Sequence, residues 1–327
     1  MSARRQLILK LVLACAVLAV LVYFVSLAEL GAALGAVAPG LFVVAVLLQF
    51  LVRIVATPRM RVITANQGMS LSHLQLFRIQ LICQYYSLML PGTLAAGGAT
   101  WLKYVQAGAS KSAAIAAVTL NRGIGTLVML VTGGVAWLLD RGLVESAGMT
   151  MLVMLCAALI LAAIFGRLPW TPSDAQGPPG PSALGWLRVF VIRLLLFQQV
   201  PTRGKLIVLL SSLAHECVGA LTIWCFALAV GLSLDLLTVF WMRAALQVVL
   251  MAPLHVAGLG LREASLVGLG VMVGAEPAVA LAWSLAIFAG SLVVSAVGGL
   301  LEANAAARFL ARPGDLPATG ALRDSKP

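Results

Sequence analysis

The sequence predicts an all-α polytopic membrane protein, with about six full spans and two re-entrant helical hairpins arranged as two inverted repeats. Three observations carry this reading. Of the 327 residues, 61% are hydrophobic and 10% charged, with a mean hydropathy of +1.04, whereas a soluble domain carries roughly 25% charged residues. Apolar runs near the ~20 residues that cross a bilayer recur along the chain. Two of the apolar regions are interrupted midway by proline and glycine, which break a helix where backbone polar groups have no water to turn to.

The first run, 7–28, follows Arg4 and Arg5 and contains Lys10. It exceeds the roughly 7–15 residues of a signal-peptide core, so it reads as the first span. Further spans follow at 39–57, 113–139, 150–166, 206–230 and 278–303. The regions 74–104 and 238–275 are each too long for one span and too broken for two. Their interruptions are PGTLAAGG at 91–98 and PLHVAGLG at 253–260, with Pro91 and Pro253 as the breaks.

Loop charge sets the orientation. Arg4, Arg5 and Lys10 place the N-terminus in the cytoplasm, Glu29 lies outside, and Arg53, Arg59 and Arg61 end the second span inside. The insertion 167–205 carries Arg167, Arg188, Arg193, Arg203 and Lys205 against Asp174 alone, and the tail 306–327 holds Arg308, Arg312, Arg323 and Lys326. Both are therefore cytoplasmic. Parity then requires the hairpin 74–104 to enter and leave from the cytoplasm and the hairpin 238–275 from outside. The halves 1–140 and 141–305 read span, span, hairpin, span in opposite orientations. Placing Pro91 on Pro253 also matches Leu88 with Leu250, Ala95 with Ala257, Gly98 with Gly260 and Val105 with Val267. Paired broken helices of this kind mark alternating-access transporters. The alternative is a bundle of eight or ten ordinary helices kinked by proline. Within the insertion, 171–182 reads as a Pro/Gly-rich linker, and 184–200, with Trp186, Phe190 and Phe197 among leucines, as an interfacial helix.

Polar residues at membrane depth are the candidate site. Arg262 and Glu263 follow the glycines Gly258 and Gly260. If the second hairpin re-enters, the half-helix beginning there aims its N–H groups at the membrane centre. Arg262 would meet an anionic headgroup, and Glu263 would orient it or receive an ammonium; equally, the two form a structural ion pair. Arg122 lies about ten residues, or roughly 15 Å, into its span. So deep a charge needs a carboxylate, carbonyls or a ligand, and Glu216, beside His215, is a candidate partner. Arg78 and Arg243 open the broken regions and read as helix-end or snorkelling charges, whereas Arg53 and Glu302 read as topological. His73 and His255 read as polar core or interface residues.

Other chemistry is not signalled. The five cysteines stand singly in apolar sequence, without metal-ligand spacing. No G-x-x-x-x-G-K-[ST] occurs, GLGLRE follows no strand, and His215–Glu216 lacks a second histidine, so no cofactor, metal or catalytic residue is assigned. The formal net charge of +11 reports cytoplasmic loops first and an anionic partner second. Its scatter, with no aromatic platform, speaks against nucleic acid.

The stretches LPGTLAAGGATWLKYVQAGASKSAAIAAVTLNRGIG (90–125) and APLHVAGLGLREASLVGLG (252–270) resemble two characteristic regions of the lysylphosphatidylglycerol synthase transmembrane, or flippase-like, family. The resemblance covers about residues 1–305. It implies a multi-pass protein of the bacterial inner membrane that moves a phospholipid or lipid-linked headgroup between leaflets, with Arg122, Arg262 and Glu263 at matching positions. With Glu216 and the glycines Gly97, Gly98, Gly258 and Gly260, these are the expected substrate contacts, and membrane lipids with an anionic or phosphate headgroup are the expected partners. Where relatives carry an acidic residue after the paired glycines, this chain has Ala99. Only about twenty residues follow the last span, so the soluble synthase domain is not expected here. Two other readings are a non-transporting partner of a separate lipid-modifying enzyme and a membrane-embedded transferase of glycolipid or hopanoid metabolism.

Overall fold

The computed structural model describes residues 27–89, 93–141, 151–157, 183–250 and 261–310, together with residues 148 and 159. The span 7–28 up to residue 26, most of the span 150–166, the linker 171–182, the tail from 311, and Pro91, Pro253, Gly258 and Gly260 lie outside the described residues. What is described is all-α. In chain order the helices are α1 (Leu27–Gly35), α2 (Pro39–Asn66), α3 (His73–Met89), α4 (Thr93–Gln106), α5 (Lys111–Arg141), α6 (Ala183–Leu195), α7 (Thr202–Ala229), α8 (Leu236–Leu250), α9 (Leu261–Met272) and α10 (Pro277–Leu310), with a 3₁₀ turn at Leu196–Gln199.

Local sequence accounts for the boundaries. Pro39 opens α2 and Pro277 opens α10, where a missing N–H costs nothing. Ser72 and Gln75 form a capping box at the start of α3: the Gln75 N–H donates to Ser72 Oγ, and the Ser72 N–H to Gln75 Oε1 at 2.8 Å. Both α2 and α7 end on a glycine with positive φ, Gly68 and Gly231. The following N–H closes back five residues, Met69 to the Thr64 carbonyl and Leu232 to the Ala227 carbonyl.

Four helices, α2, α5, α7 and α10, are long and apolar enough among the described residues to cross a membrane. Helices α3, α4, α8 and α9 have 17, 14, 15 and 12 residues. Each falls short of the ~20 residues that a hydrocarbon core requires. They flank residues 90–92 and 251–260, which lie outside the described residues, and each pair packs together.

The order long, short, short, long occurs twice, with matched lengths: α2–α5 have 28, 17, 14 and 31 residues and α7–α10 have 28, 15, 12 and 34. Contacts between the two sets are reciprocal. The most extensive interface joins α2 to α7; α5 packs on α8 as α10 packs on α3, and α2 meets α10 as α7 meets α5. Two apolar clusters result. One gathers Ile63, Leu76 and Tyr104 and draws mainly on the first set, and the other, around Phe226, Met242 and Trp283, mainly on the second. Helix α6 is tied to the end of α2, where the side-chain amide of Gln67 donates to the Arg193 carbonyl and that of Asn66 to the Leu196 carbonyl.

Lipid tails are as apolar as leucine, so helix association in a membrane depends on close packing. A Cβ on Gly298 of α10 would overlap the Leu81 carbonyl of α3, and one on Gly133 of α5 would overlap Ala244 of α8. Gly298→Ala and Gly133→Ala each add helix propensity, yet both are expected to lower stability by about 1–3 kcal/mol through overpacking. Thermal unfolding in detergent checks this, with Gly268→Ala, where no atom lies within 4 Å of the added carbon, holding or raising the midpoint.

Candidate functional site

A polar cavity of about 280 Å³ lies among α2, α3, α4, α5 and α7. Helix α2 contributes Val52, Arg53, Ala56, Arg59 and Met60, a spacing that puts them on one face. Gln80, Cys83 and Gln84 come from α3, Asn121 and Arg122 from α5, and His215 from α7. Three guanidinium groups thus line one small space.

Neutral dipoles hold two of them. Arg53 donates through Nη1 to the Gln49 carbonyl at 2.6 Å and through Nη2 to Gln84 Oε1 at 2.9 Å. Arg59, only 5% exposed, donates through Nε to Asn121 Oδ1 at 3.0 Å and through Nη1 to Ser212 Oγ at 3.1 Å. The third, Arg122, lies against the α4 backbone: a Cβ on Gly97 would stand 3.2 Å from its Cζ. The helix that carries Arg53 and Arg59 does not stop at residue 57, where the apolar run ends. Helix α2 continues to Asn66, and both side chains turn into the protein. Their shared face with Ala56 and Met60 was the available signal.

Support for α2 comes from α7. Pro58 lies inside α2 and leaves the helix without one N–H. Nearby, the Ser211 hydroxyl donates to the Val55 carbonyl and accepts from the Arg59 N–H, bridging a step of the helical ladder. A side chain inserted in this way bends a helix and fixes the bend.

Beside the cavity, between α4 and α5, is a predominantly apolar groove of about 920 Å³. Gly97, Gly98, Trp101, Ile115, Val118, Leu127 and Leu130 line it. Arg122 belongs to both walls, the cavity's and the groove's.

The remaining charged sequence candidates do not line the cavity, although Glu216 lies directly behind its His215. Glu216, 1% exposed, accepts from Arg243 Nη2 at 2.9 Å and contacts His215 Nδ1 at 3.1 Å. Its arginine partner is thus Arg243 of α8. Arg243 is no snorkelling charge, and its guanidinium is pressed against Gly219 of α7. Arg262 donates to Glu263 Oε1 at 2.8 Å, and its Cζ stands 5.5 Å over the Phe288 ring of α10. Neither Arg262 nor Glu263 lines the arginine cavity. Glu302 ties three helices together, accepting from Lys103 Nζ at 2.6 and 2.7 Å and from the Tyr86 hydroxyl at 2.9 Å.

Removing one partner of a buried ion pair strands the other charge. Glu216→Gln is therefore expected to cost about 3–5 kcal/mol. Adding Arg243→Met should restore part of that loss, a non-additivity that thermal unfolding of the four-member mutant cycle will read.

No curated protein matches the chain. The family described as lysylphosphatidylglycerol synthase TM region matches residues 7–299, a stretch that contains every residue of the cavity and the groove. The chain belongs to that family, and with its apolar helices it is a multi-pass membrane protein of lipid metabolism or transport.

Proposed function

We propose that the protein moves a lipid between membrane leaflets, with the headgroup in the arginine cavity and an acyl chain in the groove between α4 and α5. The observation that carries the proposal is Arg122, which stands in the wall of both spaces and so at the junction an amphiphile needs. Guanidinium groups suit phosphate because their planar donors engage two oxygens at once. Arg53 and Arg59, already oriented by neutral partners, would complete the headgroup contacts around a phosphate.

The matched helix sets supply a route for movement. Read as inverted repeats across the bacterial inner membrane, with both termini cytoplasmic, they would rock about the α2–α7 interface and open the cavity to each leaflet in turn. In this reading the Arg262–Glu263 pair joins α9 to α10 through Phe288 and acts on the lipid only through helix position.

Headgroup accessibility in vesicles reconstituted with the full chain tests the proposal. The protein should speed transbilayer exchange of a fluorescent phospholipid over protein-free vesicles, and Arg122→Gln should reduce the gain at least about tenfold, as expected for loss of a charge-assisted contact. Exchange no faster than in empty vesicles, or equal rates for both proteins, would overturn it.

A further inference from the structure

Glu216 stands behind the cavity wall, and one residue connects it to the cavity. His215 lines that wall with its side chain 23% exposed, and its Nδ1 lies 3.1 Å from Glu216 Oε1. Glu216 also receives Arg243 Nη2 at 2.9 Å, so it is a carboxylate and can only accept. The proton between imidazole and carboxylate therefore belongs to Nδ1, and in the neutral ring the lone pair lies on Nε2. Among the described residues Nε2 makes no hydrogen bond. A carboxylate behind an imidazole fixes the tautomer and stabilises the imidazolium, which lets the ring take and release a proton at its other nitrogen.

We infer that His215 is a proton site linked to the headgroup: an anionic phosphodiester entering the cavity draws a proton from water onto Nε2, and its departure returns that proton. The inference rests on the reading of the cavity as a headgroup site and adds the ion that moves with the lipid. Other charged and titratable groups share the space. Arg53 and Arg59 of α2, Cys83 of α3 and Arg122 of α5 line it, and Arg243 of α8 stands behind it with Glu216. Helix α10 also meets α7, and its Glu302 is held by Lys103 and Tyr86. The sign of the linkage does not depend on how these charges sum. A negative charge added within roughly 4–6 Å favours imidazolium over imidazole against any fixed background. By reciprocity, the proton strengthens lipid binding by the same factor. A phosphodiester brings one negative charge and the ring gains one positive charge, so the pair adds no net charge to a space of low dielectric. Carried through a change of access, lipid and proton would cross in the same direction, and a pH difference across the membrane would drive them.

Calorimetric titration of the full chain in detergent micelles with short-chain phosphatidylglycerol tests this. Repeated in buffers of different ionisation enthalpy, it counts protons taken up, and this lipid has no group of its own that titrates near neutrality. The wild type should take up as much as about one proton per lipid bound. Because the protonated ring binds better, affinity should be highest at about pH 6 and fall, by up to about tenfold per pH unit, toward about pH 8. His215→Asn keeps a donor for Glu216 near the Nδ1 position, and His215→Gln keeps an amide near Nε2. Either variant that retains the wild-type unfolding temperature should bind without proton uptake and without a slope in pH. Wild-type binding with no proton uptake, or uptake retained by a folded variant, overturns the proton site and leaves the headgroup site standing. No binding at any pH overturns the headgroup site itself, and the proton site with it.

Discussion

A guanidinium keeps its proton at any physiological pH, so an arginine below the membrane surface must be met by dipoles, counter-charge or ligand. The helix contacts around the cavity answer that demand. Arg53 takes a carbonyl of its own helix and an amide of α3, whereas Arg59 takes an amide of α5 and a hydroxyl of α7. Glycine recurs under the charged groups. Arg122 lies on Gly97, Arg59 on Gly125 and Arg243 on Gly219, each on a neighbouring helix. Without a Cβ at those points, the flat group sits against the backbone surface, and the helices close around it.

Class and most long helices are plain in the sequence, because twenty apolar residues have few other uses. The flanks of both interruptions were legible for the same reason, since proline and glycine punctuate apolar sequence visibly at 91–98 and 253–260. Arg122 could be found by depth alone. Arg53 and Arg59 could not, because hydropathy places a charge at the end of an apolar run and assumes it reaches water. Tertiary packing decides otherwise: the polar continuation of α2 through Asn66 packs against α7 and the 3₁₀ turn Leu196–Gln199, so the helix extends past its apolar window. The partner of Glu216 was equally hidden. One-dimensional depth ranks Arg122 and Arg243 alike, and only the packing of α7 on α8 gives the carboxylate to Arg243.

The two sets of four helices are alike in backbone and unlike in chemistry. Gly108 and Gly274, both with positive φ, close α4 and α9, and the step from Gly108 to Arg122 equals the step from Gly274 to Phe288. At one place in the pattern stands a charge pressed on glycine. At the other stands a ring under Arg262, whose charge is answered by Glu263. One half therefore brings arginines to the wall of a cavity, and in the other the arginine is paired with its neighbouring carboxylate. The sequence comparison of the two halves aligns their breaks and is silent on this division of labour.

The Ser211 hydroxyl, set into the ladder of α2 beside Pro58, brings a side chain of the second half into the backbone bonding of the first. The Val55 carbonyl and the Arg59 N–H are served by a residue from the other half of the chain. Were α7 to withdraw, those two groups, four residues apart in one helix, would be left to close the ordinary helical bond between themselves. A pivot that keeps Ser211 seated preserves this bridge, and one that withdraws it returns the step to the ladder of α2 alone. The serine is thus a contact that any relative motion of the halves would either carry along or break.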